Sequence, residues 1–352
     1  MKKTKKSWLG KLIITGLIAL PVLCLLLATI SGIRSIQNRV ESGETDLVPI
    51  DSVYARGKTL IQEILDQAQL SDLINTNAVC GNESELLILA IGIDQRSNDF
   101  LYGLADVIRI VHIDFRTPQI NVVALSRAIL VNVPEERLKV AGPMLLNQAY
   151  FFGSPGMNYY DGPDYGAGAL QDTINYNFGV STERFLVIDF QAFVRFIDAI
   201  GGIEVNLPTY VDDMPSSYFP AGVQTLDGAQ ALTLSRVRSK YSDLARIDNQ
   251  TIVIKGIFEK LKNPLMIVKL PKIIESLQDS YKTNIPGDQL ANLICLLPTL
   301  KSENVQFYNP SVDLITSDYE FIPNMNQQME IFRWDQRLVD WINESLYAKP
   351  TP

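Results

Sequence analysis

A single histidine, His112, serves a chain of 352 residues. A Ser-His-Asp hydrolase or a histidine-built metal site would need that side chain at the centre of its chemistry. His112 stands instead inside Val107–Ile113, an apolar run that reads as a strand, where an imidazole packed on a sheet is the plain reading. A Walker A loop, a dinucleotide fingerprint and a nucleophile elbow are also missing, which excludes the usual nucleotide-binding and α/β-hydrolase designs. Basic surplus is lacking too: 31 Lys and Arg face 39 Asp and Glu, for a net charge of −8. Nucleic acid is therefore not a partner, and any anionic ligand must be gripped by a local arginine cluster or a metal. Of the three cysteines, Cys24 lies in an apolar N-terminal segment. Cys80 and Cys295 are a candidate disulfide in an oxidising compartment, and two free thiols are equally compatible with the sequence.

What is present is enough apolar residue, 47% of the chain, to bury a full core. Lys2, Lys3, Lys5 and Lys6 precede Leu12–Ile30, which carries no charge. About 20 apolar residues cross a bilayer as a helix, and a basic cluster in front keeps the N-terminus in the cytoplasm. A cleaved signal peptide shares the pattern, but this run is longer than its usual apolar core and no small-x-small site follows cleanly. The expected organisation is a cytoplasmic tail over 1–11, a transmembrane anchor over 12–32 and an extracytoplasmic stalk over 33–82. A main domain over 83–262 and a C-terminal part over 263–352 complete the same exported unit. The stalk is polar, with one amphipathic segment around Leu60–Leu73.

Within the body, Glu85–Ile93 is nearly all apolar, as a central strand covered on both faces requires. Val107–Ile113 and Ile120–Leu125 read as strands joined by a turn over Asp114–Gln119, hence a hairpin. Tyr165–Phe178 reads as a helix, Arg184–Asp189 as a strand and Phe190–Ile200 as a helix stopped by Gly201-Gly202. Ile203–Leu207 is a strand; Leu226–Val237 and Ile247–Leu261 are helices. Beyond them, helices are expected over Leu270–Asp279, Asp288–Leu296 and Trp334–Leu346, with a strand near Asn304–Tyr308. Strands alternating with helices predict an α/β protein, an α/β/α sandwich around a central mixed β-sheet.

Charges at the strand ends are the first candidates for chemistry, because ligands of open α/β sheets bind there. Asp94 ends the first strand, Asp106 precedes the second and Arg127 follows the third. Each taken alone also fits a strand-end charge facing water. Ser235-Arg236-Val237-Arg238 then places two guanidinium groups on one side if the backbone is extended. Asp243, Arg246 and Gln250 follow, the last two spaced for one face of a helix. Guanidinium forks suit phosphate oxygens, and paired carboxylates suit a hard divalent cation bridging them. Surface ion pairing is the alternative.

Through these residues the chain resembles the LytR–CpsA–Psr proteins. The likeness is carried by Leu86–Arg96 (LLILAIGIDQR), Ala105–Asp114 (ADVIRIVHID), Ile120–Arg127 (INVVALSR), Leu146–Gly153 (LNQAYFFG) and Phe185–Pro208 (FLVIDFQAFVRFIDAIGGIEVNLP). Leu226–Leu232 (LDGAQAL) and Ser235–Gln250 (SRVRSKYSDLARIDNQ) complete it, in family order behind the family's kind of anchor. The resemblance implies a phosphotransferase that moves a glycopolymer from a polyprenyl-pyrophosphate carrier to a cell-wall acceptor hydroxyl, usually on peptidoglycan. It also implies a hydrophobic slot for the prenyl tail. Carried over by position, Asp94 and Asp106 are metal-side aspartates for Mg²⁺. Arg127, Arg236, Arg238, Arg246 and Gln250 hold the pyrophosphate. Arg127, Asp106 and Asp243 are placed as the catalytic residues.

Three family charges are replaced, at Leu104, Ala128 and Asn249, where the family usually carries Arg, Asp and Arg. Each lost charge-assisted contact typically costs about 1.5–3 kcal/mol. The sequence thus leaves two functions open: an active transferase, or a relative that binds polyprenyl-phosphate lipids or scaffolds wall assembly without turnover. An exported regulator that never touches lipid is a third, remoter class.

Overall fold

The computed structural model describes residues 83–94, 103–213, 217–237, 243–261, 281–296 and 300–349. Strands β1 (Glu85–Ile93), β2 (Ala105–Asp114) and β3 (Gln119–Leu125) come first, then a short ladder of β4 (Leu130–Val131) and β5 (Met144–Leu145). Helices α1 (Gln148–Phe152) and α2 (Tyr165–Phe178) lead to β6 (Arg184–Asp189), α3 (Phe190–Ala199) and β7 (Ile203–Leu207). Two short strands, β8 (Val211–Asp213) and β9 (Ser217–Phe219), precede β10 (Gly222–Leu226), α4 (Gly228–Arg236) and α5 (Asp243–Leu261). The remainder supplies β11 (Tyr281–Thr283), α6 (Gly287–Leu296), β12 (Val305–Tyr308), β13 (Ile315–Ile322), β14 (Gln327–Trp334) and α7 (Gln336–Leu346).

Six strands form the central sheet in the order β11-β6-β1-β2-β3-β12. β1, β2 and β3 run antiparallel in turn, β6 lies parallel to β1 and β12 parallel to β3, so the sheet is mixed. The alternating pleat of β1 explains its continuous apolarity: Leu86 and Ile88 enter one core, while Leu89, Ile91 and Ile93 enter the other. The larger core gathers α1, α2 and α7 on one face; Phe258 of α5 and Leu293 of α6 pack into the opposite one. Leu338, Ile342 and Leu346 line the buried stripe of α7 at four-residue spacing, each worth about 1.5–3 kcal/mol when fully buried. The expected α/β architecture, with helices on both faces of a mixed sheet, is what folds.

A satellite core joins α3, β7, β10, α4 and one side of α5 through Ile197, Ile203, Val205, Leu226, Leu234 and Val253. It holds α4 and α5 against the strand ends. Asp189 caps α3 by accepting from the Ala192 amide at 2.6 Å, and Gly201 and Gly202, both at positive φ, turn the chain into β7 as expected. α4 crosses α3 closely: a Cβ on Gly228 would run into the carbonyl oxygen of Val194.

Several boundaries differ from the sequence expectations. β2 begins at Ala105, so Asp106 is a strand residue and not one that precedes the strand. Leu226 ends β10; the helix starts at Gly228 because Asp227 forms a capping box with Gln230. α5 begins at Asp243, four residues before Ile247, with its acidic first turn placed at the positive end of the helix dipole. Trp334 closes β14 instead of opening a helix, and Asp335 caps α7. The expected helix over Leu270–Asp279, the stalk, the anchor and Cys80 lie outside the described residues. Among the described residues no helix is long and apolar enough to cross a membrane.

Candidate functional site

Ser126 and Arg127 follow β3, β2 begins with Ala105 and Asp106, and α5 starts at Asp243. The sheet and the satellite core bring these three ends together. The Arg127 guanidinium donates to the Asp106 carboxylate and lies 3.5 Å from an Asp243 carboxylate oxygen through its Nε. Arg246, one turn into α5, reaches the same Asp243 oxygen at 2.5 Å. The other Asp243 oxygen accepts from the Ser126 hydroxyl at 2.6 Å. Two arginines and two aspartates from three elements thus form one alternating ladder, with side-chain exposures between 4 and 15%. Burial holds the Arg246 guanidinium below its ordinary pKa; Asp243 opposes that shift and Arg127 adds to it.

Gln250 ties the ladder to its neighbours. Its amide donates to the Ser235 carbonyl at 3.2 Å and more weakly to that of Asp106 at 3.4 Å. The spacing of Arg246 and Gln250 therefore does what a helical turn requires, with both side chains buried against the sheet. Asp94 follows β1, and its amide donates to the Leu104 carbonyl at 3.2 Å, two residues before Asp106 on the neighbouring strand. Arg236 lies within the expected helix, as the last residue of α4, so the extended backbone that would align it with position 238 is not met; it is exposed, with its guanidinium 5.1 Å from the centre of the Phe190 ring. It sits beside the Ser235 carbonyl that Gln250 holds, so it borders the cluster without entering it. Arg238 lies outside the described residues.

The sequence reading missed Arg109 in the middle of β2, buried and donating to the Gln250 side-chain carbonyl at 3.2 Å. The signal was there: a charge between two isoleucines of a central strand covered on both faces must meet a partner across the layer. His112 is the packed ring expected, its Nε2 3.1 Å from Glu85 and its ring 4.7 Å from that of Tyr347. Of the replaced charges, Leu104 supplies the carbonyl that holds Asp94, and Ala128 accepts from the Phe332 amide at 2.8 Å. Asn249 is buried with its amide nitrogen unpartnered. Among the described residues no three metal-ligating side chains cluster. An open groove of about 840 Å³ runs along Asn132–Arg137, Asp172 and Tyr176. Its polar lining does not match the hydrophobic slot implied by the resemblance, and no ladder residue borders it.

The strand ends of this mixed α/β sheet thus carry alternating, largely covered arginines and aspartates. Residues 52–340 match the model of the LytR_cpsA_psr family, and the chain belongs to that family. It is 29% identical over 209 residues to the polyisoprenyl-teichoic acid–peptidoglycan teichoic acid transferase TagU of Oceanobacillus iheyensis, covering 59% of this chain and 61% of the relative. It is 25% identical over 213 residues to the regulatory protein MsrR of Staphylococcus aureus, covering 60% of this chain and 59% of that one. The chain thus spans about three-fifths of the length of these curated relatives. Its fold is similar to the crystal structure of B. subtilis TagV, with a TM-score of 0.58 and 21% identity over 76% of this chain and 97% of that one. It is also similar to TagT bound to LI-WTA, at a TM-score of 0.54 and 18% identity over 77% and 94% of the two chains.

Proposed function

We propose that this chain is a glycopolymer phosphotransferase, anchored by residues 12–32 with its sheet domain outside the cell, acting on a polyprenyl-pyrophosphate-linked glycan. The observation that carries the reading is the ladder Asp106–Arg127–Asp243–Arg246 at the strand ends of a family member. Two nearly buried guanidiniums are held ready by carboxylates that an incoming diphosphate can displace. The non-bridging oxygens then take charge-assisted hydrogen bonds in a site of low water content, where such bonds are strongest. Arg236, exposed beside the cluster, adds positive charge there, and Arg238 is a further candidate ligand for the same anion.

In the reaction, the acceptor hydroxyl oxygen attacks the glycan-linked phosphorus and the bond from that phosphorus to the prenyl-phosphate oxygen breaks. Polyprenyl phosphate leaves, and the hydroxyl proton passes to a carboxylate, Asp243 or Asp106. Arg127 and Arg246 neutralise the charge that develops on the phosphoryl oxygens. Asp94 and Asp106, hard oxygen donors at the ends of neighbouring strands, would hold a Mg²⁺. When bound, that ion would supply further charge neutralisation. The acceptor is a cell-wall glycan, and the carrier lipid is drawn from the membrane beside the anchor.

A second reading, lipid binding without turnover, is favoured by Asn249, whose buried amide stands where the family carries a guanidinium. One assay separates the two. The full chain in detergent with Mg²⁺ should release polyprenyl phosphate from a polyprenyl-pyrophosphate glycan. Arg127→Ala should lower the rate about 10²-fold or more. Tight lipid binding with no product would establish the second reading, and absence of both binding and product would leave a regulator.

A further inference from the structure

Arg109 stands between Ile108 and Ile110, both wholly buried in the larger core, so its side chain crosses to the face covered by α5. There one nitrogen does all the bonding: NH2 donates to the Ile247 carbonyl at 3.2 Å, to Gln250 Oε1 at 3.2 Å and to Thr251 Oγ1 at 3.5 Å. Its Nε and NH1 are buried without a partner, and so is the Nε of Arg246. The carboxylates that act on Arg109, Asp248 and Asp243, do so from beyond salt-bridge distance. In the ladder, Arg127 and Arg246 balance Asp106 and Asp243. Arg109 is the cation of this group that no carboxylate meets within salt-bridge distance, Asp248 and Asp243 acting on it only from further off. Burial and repulsion from Arg246 bring its pKa down to about 10, so it remains a cation at neutral pH. A buried cation without a counter-ion is costly unless something anionic comes to offset it.

We infer that Arg109 is a positioning residue for the diphosphate, a conclusion that rests on the function proposed above. It supplies the uncompensated positive charge on the sheet side of Arg246 and fixes the orientation of Gln250. Affinity for a prenyl diphosphate therefore depends on the charge at position 109, whereas affinity for the uncharged prenyl chain does not. In a medium of intermediate effective dielectric, a fixed charge acts on a bound anion over several ångströms without touching it. Hydrogen bonding explains part of the arrangement, since NH2 joins β2 to α5. Structural bonding alone leaves the two orphaned nitrogens and the missing carboxylate without a reason.

The test uses the full chain in detergent, titrated with a short prenyl diphosphate and with the matching prenyl alcohol, for wild type, Arg109→Lys and Arg109→Gln. The Gln variant should bind the diphosphate about 10-fold or more weakly, while Lys recovers most of that affinity. Both should bind the alcohol like wild type. Equal diphosphate binding by wild type and Gln would overturn the inference. So would a loss shared equally by Lys and Gln, or a parallel loss of alcohol binding, either of which marks a purely structural arginine. Melting temperatures of both variants identify that last case. Should the wild type bind diphosphate no better than alcohol, the diphosphate reading itself fails, and the two failures are thereby told apart.

Discussion

Two arginine–carboxylate groups in this molecule use the same chemistry and mean different things. On the β13–β14 hairpin, Arg333 bonds to Asp318 at 2.6 Å and also to Glu320, with its side chain 46% exposed. At the strand ends, Arg246 meets Asp243 at 2.5 Å with its side chain 4% exposed. Donating hydrogen bonds to Asp318 and Glu320 raises the Arg333 pKa, whereas burial lowers that of Arg246. Water screens the hairpin pairs and makes them dispensable. Without that screening, the strand-end group is costly to assemble, and removing one member strands the others. A buried arginine ladder is therefore a poor device for stability alone and a good one for receiving an anion.

Breaking the ladder should have the largest effect. Asp243→Ala leaves Arg127 and Arg246 without their shared carboxylate and should cost about 3–5 kcal/mol in chemical denaturation. Added prenyl diphosphate should restore part of that loss if the anion replaces the carboxylate. Arg246→Ala should slow release of polyprenyl phosphate by about 10²–10³-fold. A variant turning over at the wild-type rate would remove Arg246 from the site. Gly228→Ala touches neither ion-pair group but forces α4 away from Val194; it should cost about 1–3 kcal/mol by thermal or chemical unfolding. Arg333→Ala, the control from the exposed hairpin, should leave both melting temperature and turnover unchanged.

Much of the fold is legible because its central elements are locally consistent. β1, α2, β6 and β7 have the expected bounds: each combines a clear apolar pattern with a stop signal, such as Gly179 after α2 or Gly201-Gly202 before β7. The β13–β14 hairpin was not legible. Residues 316–319 of β13 are all exposed, so no alternation of buried and exposed positions marks a strand there. It is held instead by cross-strand pairing and by the Phe332 amide on the Ala128 carbonyl, a contact 204 residues apart in sequence. Two arginines spaced by one residue share a side only in extended chain, and the expected helix over Leu226–Val237, begun by the Asp227 cap, runs on through Arg236. Arg109 is not legible as a site residue because it lies in mid-strand, and only the fold brings it beneath α5 and onto Gln250 beside the ladder.

The central claim is that Arg127 and Arg246 exchange their carboxylate partners for phosphate oxygens. A crystal structure with a prenyl diphosphate bound tests it most directly. Phosphate oxygens should lie within hydrogen-bonding distance of both guanidiniums, with the contact of Arg127 or Arg246 to Asp243 lengthened to make room. A diphosphate seated elsewhere on the molecule, with the four-residue ladder unchanged, would contradict it.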